Sequence, residues 1–435
     1  MKRLAWALAL WVAGCGGEPP SPGVLVERLP DGDWRATWQA AEPIRLLRFE
    51  RPAYWLRERE WRVVTPGYAF SRDADDQVLR LRAGARAADT VSVEFPVNTA
   101  FLPRDYELFH VFSDGSAALY TGHFIAAVNE RPARLANVTV AGAHTLADAH
   151  PGTDGTVAYV GGIDAVEHDR VIALIDPGLP RWLATTLAQR LPELFAFFAA
   201  RTGHALETRP VVLFSFVPGA GDDITGGVVG NAVLLRASGD RWREDDPWAV
   251  RTALRLIAHE AAHLWNSGLA SFRAGAPPWL HEGGAEAFAD EALHGLGVLD
   301  DAGLRTAYSR ALAECADGAR REYSCGEVAA WWTDLAVRAA RPGADLFAVW
   351  GALAARAGAG DGYYGPDEYF AALAAFGVPD AAAASLRRFT ANPGRETLPA
   401  LLEVADEICN RADVAGLGPR CLRTGPENPA RTGHR

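Results

Sequence analysis

Apolar and polar residues alternate in short runs over residues 24–129, clearest at 34–38, 44–49, 78–82 and 90–95. Successive side chains of a strand point to opposite faces, so a period of two marks strands with one buried face. Clusters of Gly, Pro and Asp separate the runs, which predicts an all-β region of sandwich type. Residues 130–165, rich in Gly, Ala, Thr and Asp, read as a connection with irregular strands. The pattern changes near Arg170. Apolar runs at 171–175, 210–216 and 231–236 predict strands, and a helical period covers 180–202. Asp246-Pro247 opens a further helix, with Asp as its cap and Pro at its first position, and Gly268 is placed just beyond its end. After Pro277-Pro278 the period is helical throughout, over about 279–294, 301–315, 326–340, 345–357, 366–376, 379–390 and 397–410. The fold class predicted is α+β and multidomain.

Composition narrows this picture. The chain has 435 residues, 49% hydrophobic and 22% charged, with a formal net charge of −11. That length suits roughly two to four domains with real cores and excludes overall disorder. No basic excess exists to displace counterions from a phosphate backbone, which excludes nucleic acid as a partner. Lys2 is the only lysine, so every other side-chain cation apart from histidine is Arg. Lys2-Arg3 followed by the apolar run 4–12 reads as an export leader, too short for a membrane-spanning helix. Val12-Ala13-Gly14-Cys15 resembles a bacterial lipobox, which implies lipidation of Cys15, a flexible tether over 16–23, and a membrane-anchored protein exported to the bacterial envelope. Four cysteines remain, and an even number in an exported chain favours disulfides. The short loops favour Cys315–Cys325 and Cys409–Cys421; a zinc site on these cysteines lacks CxxC spacing.

The candidate chemistry lies on the 246–266 helix, in His259-Glu260-Ala261-Ala262-His263. Histidines four apart share one helical face, so both imidazoles can reach one metal ion, while the intervening Glu can serve as base to a water there. Val250, Leu254, Ile257, Ala261 and Leu264 form an apolar stripe that would bury the helix. Two histidines leave a zinc site one ligand short. Asn266 and Leu269 occupy the positions at which a metzincin extension needs Gly and His. Glu282 follows after an 18-residue gap, and Gly283-Gly284 would let the second helix approach the first. His281, about 100° round from Glu282, reads as facing substrate or solvent, and Glu286, one turn on, as a carboxylate that orients His259 or His263.

These residues resemble a family. HisGluAlaAlaHisLeuTrp, the 18-residue gap and TrpLeuHisGluGlyGlyAlaGlu are similar to the HExxHxW and WLNEGxA segments of gluzincin metallopeptidases of the aminopeptidase-N and leukotriene-hydrolase group. The resemblance implies one Zn2+ held by His259, His263 and Glu282, with Glu260 as base and peptides as substrate. It also implies a β-rich N-terminal domain, a thermolysin-like catalytic domain and a helical C-terminal region, here placed at 24–165, 166–300 and 301–425 before a disordered tail at 426–435. Tyr323-Ser324-Cys325-Gly326 matches the family's Tyr-x-x-Gly, which implies Tyr323 as donor to the developing oxyanion, with Tyr363 and Tyr364 as alternatives. Exopeptidases of the family carry GAMEN on the strand edging the cleft, its Glu gripping the substrate amine. The matching segment here is Gly227-Val228-Val229-Gly230-Asn231, with Gly230 in place of that Glu. The backbone of this edge can still pair with an extended peptide. The departure points to endopeptidase or unusual peptidase action; the alternatives are an aminopeptidase anchored by Asp222 or Asp223, and a zinc-binding lipoprotein without turnover.

Overall fold

The computed structural model describes residues 22–74, 76–100, 102, 106–129, 134–145, 155–219, 221–273, 275–410 and 417–422. The expected leader, Cys15 and the tail from 426 lie outside the described residues. Two compact units emerge, one within Met1–Phe109 and Tyr120–Ala143, the other within His110–Leu119 and His144–Arg435.

The first unit contains two five-stranded sheets. One runs in the spatial order Val138–Val140, Gly23–Arg28, Trp34–Ile44, Ala88–Phe95, Arg62–Val63, and the other Arg134–Leu135, Ala126–Val128, Leu46–Phe49, Asp76–Leu81, Tyr68–Asp73. Alternation is the cause: Trp34, Ala36 and Trp38 are buried while Arg35 and Thr37 between them are not. The inward rings of both sheets meet, Trp38 edge-on to Phe49 at 5.6 Å and Trp61 stacked on Phe95 at 4.7 Å, the geometries aromatic quadrupoles favour. The short helix α1, Leu56–Glu60, also belongs here.

The second unit is built on a mixed sheet in the order Val166–Glu167, Ile172–Ile175, Val211–Val217, Ala232–Ser238, Asp223–Val229. The central strands are parallel, and Asp223–Val229 is an antiparallel edge strand. Its helices are α2 (Arg181–Thr202), α3 (Pro247–Asn266), α4 (Gly284–Gly295), α5 (Asp301–Asp317), α6 (Arg321–Ala340), α7 (Leu346–Gly358), α8 (Pro366–Ala375), α9 (Asp380–Ala391) and α10 (Leu398–Asn410). None of the described helices is long and apolar enough to cross a membrane.

Three features depart from the sequence reading. The expected boundary at residue 300 separates no compact units, because a single core cluster joins Ile257 and Phe288 to Leu335 and Phe347. Residues 110–119, expected in the N-terminal domain, belong to the second unit. The helix expected over 279–294 is two elements, a single π-helical turn at Trp279–Gly283 followed by α4. Both cysteine pairs form as expected, Cys315–Cys325 and Cys409–Cys421.

Candidate metal centre

Helix α3 starts where the sequence places it. The Asp246 carboxylate accepts a hydrogen bond from Ala249 N at 2.8 Å, and Pro247 takes the first turn, where its missing N–H costs nothing. The helix ends at Asn266, and only glycine fits at 268 just beyond it, where a Cβ would meet Leu264 O at 2.4 Å. Leu254, Ile257, Ala261 and Leu264 are buried, which clamps the helix along the predicted stripe. Its other face holds His259 and His263, both buried, with ring centroids 4.9 Å apart and planes at 90°.

The π-helical turn brings Glu282 to these rings. One Glu282 oxygen, Oε2, lies 3.4 Å from His259 Nε2 and 3.6 Å from His263 Nε2. One ligand atom from each of the three residues falls within 4.8 Å of the others. Two imidazole nitrogens and one carboxylate oxygen converging at this spacing fit zinc, whose three-ligand sites leave a position open. Burial alone would raise the Glu282 carboxyl, but the two imidazoles facing it outweigh burial and hold the group well below the usual range. His281 is not part of the group. Its ring lies face to face with His263 at 4.0 Å and next to Phe272 at 5.8 Å.

Neighbouring groups fix the ligands. His263 Nδ1 donates to Asn266 Oδ1 at 3.2 Å, while Asn266 Nδ2 donates to His281 O at 2.8 Å. Asn266 therefore orients one ligand and ties the end of α3 to the turn that presents another. Sequence spacing noticed this residue only as the failure of a different motif. Glu286 faces His259 Nδ1 at 3.8 Å, beyond hydrogen-bond length. Its other oxygen is held by Arg255 Nη1 at 2.5 Å, and Arg255 also engages Asp290 at 2.7 Å and Glu327 at 3.4 Å.

Glu260 is buried beneath the edge strand. A Cβ at Gly226 would stand 2.8 Å from Glu260 Cγ and 3.0 Å from its Oε1, so only glycine lets strand and carboxylate approach this closely. Burial, reinforced by the nearby Glu282 and Glu286 charges and opposed by His263, pushes the Glu260 carboxyl up to about 7. Gly226 is thus the strand position facing the site. Gly230 and Asn231 form the two-residue turn after Asp223–Val229, Gly230 with φ 58°, roughly 13 Å along the strand from Gly226. Gly227 lies within the strand, paired with Leu234. Asn231 donates to Arg209 O at 3.2 Å. Asp222 accepts from Arg241 N at 3.0 Å and Asp223 from Ile224 N at 2.8 Å, so both carboxylates are engaged by backbone N–H groups.

Tyr323 lies in the first turn of α6, which begins five residues earlier than its periodicity indicates. Its ring stacks near His259, centroids 6.1 Å apart, with the Arg320 guanidinium 4.4 Å over its other side. Burial, with Glu282 adding to it, raises the phenol to about 12, so it remains a hydrogen-bond donor at neutral pH. The Cys315–Cys325 bridge joins this turn to α5. Gly326 explains how α6 comes so near: a Cβ there would meet Trp279 O at 2.6 Å, and one on Gly283 would meet Gly326 Cα at 2.2 Å. The close approach that Gly283 permits is therefore to α6, not to α3. Of the other tyrosines, Tyr364 is buried beside Trp350 and Phe272, and Tyr363 is 47% exposed near Arg273.

No protein-family model matches the chain, and no curated protein sequence matches it. Among solved structures the fold is similar to an aminopeptidase N family protein from Idiomarina loihiensis, at 12% identity over 80% of this chain and 72% of that one, with a TM-score of 0.55. An M1 zinc metallopeptidase from Deinococcus radiodurans aligns at 14% identity over 84% and 91% of the two chains, TM-score 0.45. The first likeness shows the fold: the chain shares its architecture with that aminopeptidase N family protein.

Proposed function

We propose that this chain is a zinc-dependent metallopeptidase that hydrolyses peptide bonds without relying on a free substrate amine. The observation that carries the reading is the convergence of His259, His263 and Glu282 beside the buried carboxylate of Glu260. Zinc bound by these three residues would polarise the scissile carbonyl and acidify a water. Glu260 is placed to take a proton from the attacking water and deliver it to the leaving amine. The Tyr323 hydroxyl, held protonated, is the donor for the oxyanion that develops on the substrate carbonyl. The edge strand Asp223–Val229 offers backbone groups to an extended peptide. Its only acid is Asp223, at the end remote from the turn and engaged with its own backbone, which favours endopeptidase over aminopeptidase action.

The test compares wild type and Glu260→Gln on free and N-acetylated peptides, with zinc content measured on both. We expect wild type to cleave both peptide sets, and the variant to bind zinc while losing turnover by about a thousandfold or more, since base and proton donor are one group. Strict dependence on a free amine would overturn the endopeptidase reading. Stoichiometric zinc without cleavage of any peptide in a broad library would make the chain a binding lipoprotein. We further propose, from the lipobox alone, that Cys15 anchors the protein in the bacterial envelope; Cys15→Ser should then move it from the membrane to the soluble fraction.

A further inference from the structure

A cavity of about 570 Å³ opens between the first half of α3, the end of α4 and the first turns of α5, a volume within the range of small-molecule sites. Trp248, Leu293, Val298 and Leu299 give it an apolar wall. Arg255 and Asp290 form its floor, and Arg251 and Arg310 also line it.

Its charges decide what it can hold. Both Asp290 oxygens are taken by Arg255, at 2.7 and 3.1 Å. Asp300, also on the wall, accepts from Gly303 N at 2.7 Å and caps α5. The acids facing the cavity are thus engaged. Of the guanidiniums, Arg255 is engaged, whereas Arg251 and Arg310 make no close ion pair. Among the described residues Arg251 makes no hydrogen bond or ion pair, and Arg310 only approaches Glu314 at 3.8 Å and Asp290 at 4.0 Å. Two planar forks of open N–H donors on one cavity, beside an indole wall, match an oxyanion carried on an apolar body.

We propose that this cavity is a second ligand site, taking a small organic anion, a carboxylate or phosphate on an apolar group, through Arg251 and Arg310. The site communicates with the metal centre. Arg251 and Arg255 stand two turns and one turn before His259 on the same helix, and Arg255 holds the Glu286 carboxylate that faces His259 Nδ1. An anion held by Arg310 competes with Asp290, the carboxylate that shares Arg255 with Glu286, so occupancy alters how Arg255 and Glu286, and through them His259, are held. This last step rests on the metallopeptidase reading; the binding itself does not.

The experiment is calorimetric titration of the zinc-loaded full chain with phenyl phosphate, benzoate and inorganic phosphate. We expect saturable binding of phenyl phosphate or benzoate, at one site per chain and tighter than inorganic phosphate. The two aromatic probes distinguish phosphate from carboxylate as the preferred head. The double variant R251A/R310A should bind the preferred probe at least tenfold more weakly, while Arg305→Ala, which removes an α5 charge outside the cavity, should bind it as wild type does. On peptide substrate, the probe should change the wild-type rate but not that of R251A/R310A, whose rate without probe should match wild type. No saturable binding, or equal binding by R251A/R310A, overturns the site. Binding that obeys these expectations without any change in rate overturns only the communication.

Discussion

Glu260 and Gly226 form a contact in which neither residue can be understood alone. The carboxylate lies under the edge strand because Gly226 has no side chain, and a methyl group there meets Glu260 atoms at 2.8 and 3.0 Å. Gly226→Ala should therefore lower kcat by about tenfold or more while leaving zinc content unchanged, as steady-state kinetics with metal analysis would show. The raised Glu260 carboxyl has a further consequence for the metal-free protein. A carboxyl near 7 in the folded state and near 4.5 unfolded binds more protons when folded, so its stabilising effect is complete below about 4.5 and is lost as pH rises through 7. Half-buried His281, lowered to about 3 chiefly by desolvation, acts in the opposite direction below 6.5. The difference between wild type and Glu260→Gln removes that background. From pH 5 to 8 it should move by about 2–3 kcal/mol in favour of the variant in urea unfolding of the metal-free forms.

At the scale of elements, the site depends on how closely α6 meets the π-helical turn. Three polar groups of the site, Glu282, His281 and Tyr323, depend on the facing glycines Gly283 and Gly326. Backbone atoms stand opposite each glycine, so no side-chain rotation can relieve a larger residue. Gly326→Ala should cost about 1–3 kcal/mol of stability. It should also weaken zinc binding, because the turn carrying Glu282 must shift. Chemical denaturation and zinc competition titration would check both. A Gly326→Ala protein with unchanged zinc affinity would mean that the turn is positioned by other contacts, such as Asn266 to His281 O.

In the whole molecule, α4 lies between two arginines, half-buried Arg255 and buried Arg420. On one side Asp290 meets Arg255; on the other Glu291 meets Arg420, which also reaches Asp334 at 2.8 Å. Arg420 lies beside Cys421, tied to α10 by the second disulfide, so a residue from the end of the described chain faces buried acids on α4 and α6. Arg420→Met should destabilise the protein by about 3–5 kcal/mol, read by denaturant unfolding, because it leaves buried Glu291 without its cation while Asp334 keeps only Arg338 at 2.7 Å. Sequence by itself determined what depends on local order. Residue alternation marks the strands, Asp246-Pro247 and Gly268 bound α3, and the i, i+4 pair with the 18-residue gap names His259, His263, Glu260 and Glu282. Those are short-range properties of backbone geometry and side-chain period. Tertiary structure alone decided the rest. Gly226, not Gly230, faces the base, because hairpin register and not motif position sets which strand residue lies above α3. Asn266 ties His263 to the His281 carbonyl, and Arg255 holds Glu286, links between elements that no spacing rule connects. The helical region expected from residue 301 shares one core with α3 and α4, since its contacts, from Gly326 to Arg420, link residues far apart in the chain.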